Sequence, residues 1–237
     1  MAQDSAVAID THHAHGHPRL EHHFENMEQQ RDATTLGMWA FLVQEVMFFG
    51  GLFMVYILYR SMYPEAWIEG SLHLDVTMGA INTAILIGSS LTMAMAVYAA
   101  QVGKQKLLFN MMLATLILGT AFLVVKYFEY SHKFHEGLFP GFGLWEYTGA
   151  NPAGAPHVQM YFTVYFLMTG MHALHMIVGA GILIWLMWRA KRGEFGPEYH
   201  GPIEIFGLYW HFVDIIWIYL FPLLYLINRH ISGGGAH

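Results

Sequence analysis

The sequence predicts an all-α fold: an integral membrane bundle of five transmembrane helices, with the N-terminus cytoplasmic and the C-terminus outside. Three observations carry that expectation. Apolar residues make up 55% of the 237-residue chain and charged residues only 12%, where soluble domains carry about 25% charge. With a mean hydropathy of +0.38, such a chain cannot hide its apolar surface in one aqueous core and needs lipid around it. Five stretches reach the roughly 20 mostly apolar residues that cross a bilayer: 36–59, 76–100, 107–130, 160–188 and 204–227. Lys and Arg mark the cytoplasmic side. Seven (Arg19, Arg31, Lys104, Lys106, Arg189, Lys191, Arg192) fall on the N-terminal side of the membrane and three (Arg60, Lys133, Arg229) on the other.

Each span is bounded by residues that interrupt an apolar run. Tyr63-Pro64 follows the first, Val102-Gly103-Lys104 the second, and a Gly/Pro-rich loop over 137–156 the third. The chain then divides into a polar, His-rich N-terminal arm (1–35), a membrane domain (36–228) and a short tail (229–237) expected to be flexible. The arm has no apolar stretch of the kind a signal peptide carries, so the first span is expected to act as its own insertion signal. The arm's His12, His13, His15, His17, His22 and His23 have the composition of a metal-binding tract, but a solvated arm satisfies the same composition.

Several function classes are excluded early. The chain has no Cys, so it supplies no disulfide, thiolate zinc site or iron-sulfur ligand. A formal net charge of −6 argues against a nucleic-acid partner. No dinucleotide fingerprint, phosphate-binding loop or zinc-protease motif occurs.

Within the second span Ala80, Ala84, Gly88, Thr92, Ala96 and Ala100 recur every fourth residue. A face of small side chains lets helices approach closely in lipid, so Ala80, Ala84 and Gly88 are expected at a helix interface. Ionisable residues inside spans are costly, about 2.5–3.5 kcal/mol at the centre of a translocon-inserted helix, and each is a candidate functional group. Glu45 lies nine residues into the first span, about 14 Å along it at 1.5 Å per residue, with no Lys or Arg in its own helix nearby. Lys126 and Glu129, three apart near the end of the third span, either pair or snorkel toward the interface. His172 and His175 lie on one face of the fourth span, and His211 and Asp214 on one face of the fifth. Two His on adjacent turns cannot ligate opposite faces of one heme, so a heme would need His172 or His175 opposite His211. That keeps a heme-binding membrane anchor open beside the reading in which these groups hydrogen-bond between helices. A stand-alone transporter is a third class, although no inverted repeat is evident among the spans.

Five segments together resemble subunit III of cytochrome c oxidase and related heme-copper oxidases. Tyr209-Trp210-His211-Phe212-Val213-Asp214-Ile215-Ile216-Trp217 is similar to the family's last-helix signature, and Thr169-Gly170-Met171-His172-Ala173-Leu174-His175 to the T-G-x-H-x-x-H stretch before it. Gln44-Glu45-Val46-Met47-Phe48-Phe49 resembles the buried-glutamate stretch, Asn82-Thr83 with Ser89-Ser90 fits the next span, and Phe128-Glu129-Tyr130 is similar to the glutamate-tyrosine pair. All occur in the family's order. The long members have seven spans, with a lipid-holding cleft between the first two helices and the rest. This chain resembles only their last five.

The resemblance implies an accessory subunit in aerobic respiratory electron transport, non-catalytic itself, within a complex that reduces oxygen and pumps protons. Heme and copper would lie in partner subunits I and II, and this chain would carry no redox centre or metal. It would pack on subunit I, supporting its stability and proton uptake, bind phospholipid, and sit in the inner (plasma) membrane of a bacterium, with further respiratory subunits as partners. Glu45, Glu129, His172, His175, His211 and Asp214 would be its buried polar residues. Five-span members are similar in the quinol-oxidase branch and among proteins associated with nitric oxide reductase, so a subunit III-like protein of either is the alternative. The 137–156 loop is longer than such members suggest, as contact with a neighbouring subunit on the outer face would require.

Overall fold

The structure, a computed structural model, describes residues 24–141, 145 and 155–227. The histidines of the arm, Arg229 and the tail, and most of the 137–156 loop lie outside the described residues. Six helices occur among those described: α1 (Met27–Met62), α2 (Pro64–Leu72), α3 (Val76–Gln101), α4 (Gln105–His135), α5 (Ala155–Lys191) and α6 (Gly201–Tyr225). All but α2 are long and apolar enough to cross a membrane. They overlap the five predicted spans, and three of them, α1, α4 and α5, run past both predicted ends. Hydropathy marks where hydrocarbon begins, whereas a helix continues until a cap or breaker stops it.

Those stops are local chemistry. Asp75 caps α3, its Oδ1 accepting from Thr77 N at 2.8 Å and Met78 N at 3.3 Å. Gly103, at φ +71°, closes the other end, with Lys104 N donating to Ala99 O (2.9 Å) and Gly103 N to Ala100 O (3.2 Å). Only a residue free to enter the left-handed region makes that closure at low cost, and Gly137 and Gly193 end α4 and α5 in the same way. Pro64 starts α2 and Pro202 lies in the first turn of α6, where a missing N–H costs nothing.

Helix α2 was not predicted, because Tyr63-Pro64 reads as a break rather than a beginning. Its nine residues bury Ala66, Trp67, Gly70 and Ser71. Trp67 packs edge-on against Tyr56 and Tyr161, with ring centroids 6.1 Å and 5.6 Å away.

Helices α3, α4, α5 and α6 form a closed ring in which each packs against the next and α6 returns to α3. Two tryptophans of α6, seven residues apart on one face, fill its centre. Trp210 donates to Ser89 Oγ of α3 at 2.8 Å and lies against Gly119 of α4 and Gly179 of α5. Trp217 donates to Thr83 Oγ1 of α3 at 3.1 Å and meets Phe122 of α4 and His172 of α5, with centroids 4.8 Å and 5.2 Å away. Each indole therefore touches all three other helices of the ring. In lipid, where helix association depends on packing and hydrogen bonds rather than on burial from water, such contacts carry the bundle.

The chain separates into one unit up to Phe41 and a second from Leu42. In the first, Asn26 Oδ1 accepts from Gln29 N at 2.8 Å and so caps α1. In the second, the remainder of α1 packs on α5 and α6 through Glu45, Phe49, Phe53 and Tyr56. Phe49 lies 5.2 Å from His175 and 6.3 Å from Phe212, and the Tyr56 hydroxyl donates to Leu223 O. The opposite side of this segment leaves Val43, Met47, Met54 and Ile57 exposed.

Candidate functional site

Glu45 is buried, and its partner is one of the histidines singled out in the sequence. His175 Nε2 lies 3.1 Å from Glu45 Oε2. The other ring nitrogen, Nδ1, is 2.8 Å from Met171 O. A carbonyl only accepts, so the hydrogen-bond network assigns a proton to Nδ1. Nε2 and Oε2 then share one proton, as a neutral acid donating to imidazole or as an imidazolium donating to carboxylate. The backbone of the same histidine is fixed as well, since Tyr209 Oη donates to His175 O at 2.8 Å.

Lys126 and Glu129 pair at 3.0 Å and both are buried, so Lys126 does not snorkel. Tyr165 and Tyr225 complete the group. Lys126 Nζ donates to Glu129 Oε2, to Tyr165 Oη at 3.1 Å and to Tyr225 Oη at 2.9 Å. Both hydroxyls donate onward to Glu129 Oε1, Tyr165 at 2.7 Å. All three ammonium protons are used. The rings of Tyr130, Tyr165, Trp217 and Tyr225 also surround Nζ at 5.1–5.6 Å, within cation–π range.

The expectation that His172 and His175 act from one face is corrected. His175 turns toward α1, whereas His172 is buried inside the ring against Phe122 and Trp217, and neither of its nitrogens has a hydrogen-bond partner. His211 and Asp214 both stand beside Ser90 of α3. His211 Nδ1 is 2.7 Å from Ser90 Oγ, a link between α6 and α3. Asp214 is buried with Ser90 beside it, and neither carboxyl oxygen has a partner in hydrogen-bond geometry.

Of the small-residue face, Ala80 and Ala84 are exposed and Gly88 is half-buried. A Cβ on Gly88 would meet only Leu118, at an ordinary 3.7 Å. Within the chain α3 packs through Gly79, Asn82, Leu86, Ser89 and Met93, and through Ala96 and Ala100 at the far end of the small-residue face. The tight approaches are elsewhere: a Cβ on Gly79 would come within 2.8 Å of Phe221, on Gly119 within 2.9 Å of Trp210, and on Gly207 within 2.9 Å of Val97.

Sequence reasoning missed Tyr165 and Tyr225. One signal was present: Tyr161, Tyr165, Thr169 and His172 recur at helical spacing and place polar tips along one face of an apolar span. Thr169 Oγ1 indeed meets the Tyr130 hydroxyl, and Tyr161 Oη donates to Leu224 O at 2.9 Å.

Comparison with known proteins bears on this arrangement. The sequence model of the family described as "Cytochrome c oxidase subunit III" matches residues 20–229. The chain is 31% identical over 229 residues to the cytochrome c oxidase subunit 3 of Thermostichus vulcanus, covering 96% of each protein. It is 33% identical over 196 residues to that of Corynebacterium diphtheriae, covering 82% of this chain and 88% of that one. The heme-copper oxidase subunit I+III of Aeropyrum pernix is 32% identical over 214 residues, which are 88% of this chain and 24% of that protein.

Proposed function

The chain is a member of the cytochrome c oxidase subunit III family, and from that premise we propose that it docks on subunit I of a heme-copper oxidase and supports its stability and proton uptake. As a family member it is a multi-pass membrane subunit that associates with other oxidase subunits. In the proposed reading heme and copper belong to subunits I and II, and this chain holds no redox centre and binds phospholipid. The assembly lies in a bacterial plasma membrane with the N-terminus of this chain cytoplasmic, the orientation favoured by Lys and Arg. A relative carrying the name subunit I+III in a single chain supports adjacency of the two subunits.

The observation that carries the proton-uptake part is the Glu45–His175 pair. It keeps one exchangeable proton between two titratable groups at hydrocarbon depth, where an unpaired charge is costly. The rest of the polar interior is structural: the Lys126–Glu129 group and the Ser90–His211 link hold helices together.

Replacing Glu45 with Gln in the assembled oxidase tests this. The amide keeps the shape and one hydrogen bond but cannot hold the exchangeable proton. Proton pumping and sustained turnover should fall while assembly persists. Unchanged pumping and turnover in a fully assembled complex would leave Glu45 a structural role only.

A further inference from the structure

Three buried polar side chains at the centre of the helix ring lack hydrogen-bond partners. Asn82 of α3 and His172 of α5 are fully buried and Asp214 of α6 is 2% exposed. Both polar atoms of Asn82, both ring nitrogens of His172 and both carboxyl oxygens of Asp214 have no protein partner in hydrogen-bond geometry. Such atoms are rare in native interiors, and they are least tolerable inside a bilayer, where no bulk solvent reaches them. Other buried polar side chains of the ring, Ser89, Thr115, Lys126, Glu129 and Thr169, are hydrogen-bonded.

Each of the three adjoins Trp217 or a residue next to one that it contacts. Asp214 follows Trp210 by four residues and precedes Trp217 by three, so it lies on the same face of α6, between the two indoles that fill the ring. His172 packs against Trp217 from α5. Asn82 precedes Thr83, which accepts from the Trp217 indole, and it lies on the buried face of α3.

We propose that Asn82, His172 and Asp214 line an internal hydration site between Trp210 and Trp217, and that bound water there bridges His172 to Asp214. The chemistry suits water. A buried water molecule makes about three hydrogen bonds and needs both donors and acceptors around it. Neutral imidazole offers one of each, the Asn amide offers both, and the Asp carboxyl offers acceptors, or one donor when neutral. Ser90, beside Asp214 and bonded to His211, extends the polar lining toward a half-buried imidazole. The site rests on the packing of the ring and not on the oxidase reading.

The test is a cryo-EM map of the intact membrane assembly that contains this chain, at a resolution that shows ordered water. Expected is a peak within hydrogen-bond distance of both a His172 ring nitrogen and an Asp214 carboxyl oxygen. A direct His172–Asp214 hydrogen bond with no such peak, or a dry ring centre, overturns the proposal. Infrared difference spectra in H2-18O provide a second reading with Asp214→Asn and His172→Gln, which keep the lining polar. The isotope-sensitive O–H band of internal water should shift in both variants, and a band unchanged in both would overturn the proposal equally.

Discussion

Lys126 survives in the membrane because nothing on it is left unpaired: its three protons meet one carboxylate and two phenols, and four aromatic rings replace the rest of its hydration. Glu129→Gln removes the countercharge and leaves a buried ammonium. Breaking a buried pair from one side costs about 3–5 kcal/mol, so the thermal midpoint of the assembled complex should drop sharply. The double change Lys126→Met, Glu129→Leu should cost less than Glu129→Gln alone, and equal or greater damage would contradict the ion-pair account. The spacing of three made the pairing legible in the sequence. Tyr165 and Tyr225 were not legible as partners, because their contacts depend on how α5 and α6 are rotated, which no local pattern encodes.

His73, in the loop between α2 and α3, gives a pH prediction. Burial, and then the nearby Lys133 ammonium, hold its imidazole below the ordinary 6.5, against weaker opposing effects from Glu136 and Glu69. The sign follows from linkage: as pH falls through the unfolded value, the unfolded chain takes up a proton that the folded chain does not. This residue's contribution is therefore fully present above the unfolded value of about 6.5 and is lost as pH falls toward the lower folded value. His73→Gln should flatten the decline in thermal midpoint on acidification. An identical decline in the variant would show that another group governs it.

At the scale of elements, the span positions were legible from hydropathy but the rotation of each span was not. The recurrence of Ala80, Ala84, Gly88, Thr92, Ala96 and Ala100 singled out one face of α3; Ala96 and Ala100 do pack inside the chain, but in the first half of the helix the neighbouring face of Gly79, Asn82, Leu86 and Ser89 is the buried one. Several faces of an apolar helix carry small residues, and the choice among them is made by neighbours such as Phe221 and Trp210. Two outcomes separate the interior of the ring from the small-residue face of α3. Gly119→Val should force Trp210 out of place and destabilise the fold by about 1–3 kcal/mol, as overpacking does, seen as a lowered thermal midpoint of the purified chain in its complex. Gly88→Leu should leave the chain folded but weaken its hold on a neighbouring subunit, read on a native gel. Normal assembly of that variant would assign the face to lipid.

The last-helix signature shows the same division. Its length and composition pointed to the family, but only the ring explains the spacing of its two tryptophans. Seven residues place both indoles on the inner face of α6, where one reaches Ser89, Gly119 and Gly179 and the other Thr83, Phe122 and His172. His211 and Asp214 stand between them in the sequence, and both adjoin Ser90 of α3.

At the scale of the whole molecule, five apolar helices and membership of the subunit III family make this chain part of a larger membrane assembly. Coverage of 96% of the Thermostichus vulcanus protein shows that the likeness extends over nearly the whole of that cytochrome c oxidase subunit 3. The exposed apolar side of α1 beyond Leu42, with Met47 and Met54 outermost, is the surface expected to meet lipid or another subunit. The polar groups are spent inside, on the Lys126 cluster, the Glu45–His175 pair and the centre of the ring. That distribution suits a subunit that braces a neighbour more than one that carries out chemistry alone.

The central claim, that this chain serves a heme-copper oxidase without holding a redox centre, is tested most directly by purifying the tagged chain in mild detergent, recording the visible spectrum, and repeating the measurement after the subunits are separated. The account predicts that oxidase subunits I and II co-elute with heme absorbance and that the separated chain is colourless and free of copper. A separated chain that retains stoichiometric heme, or one that elutes without any oxidase subunit, would contradict it.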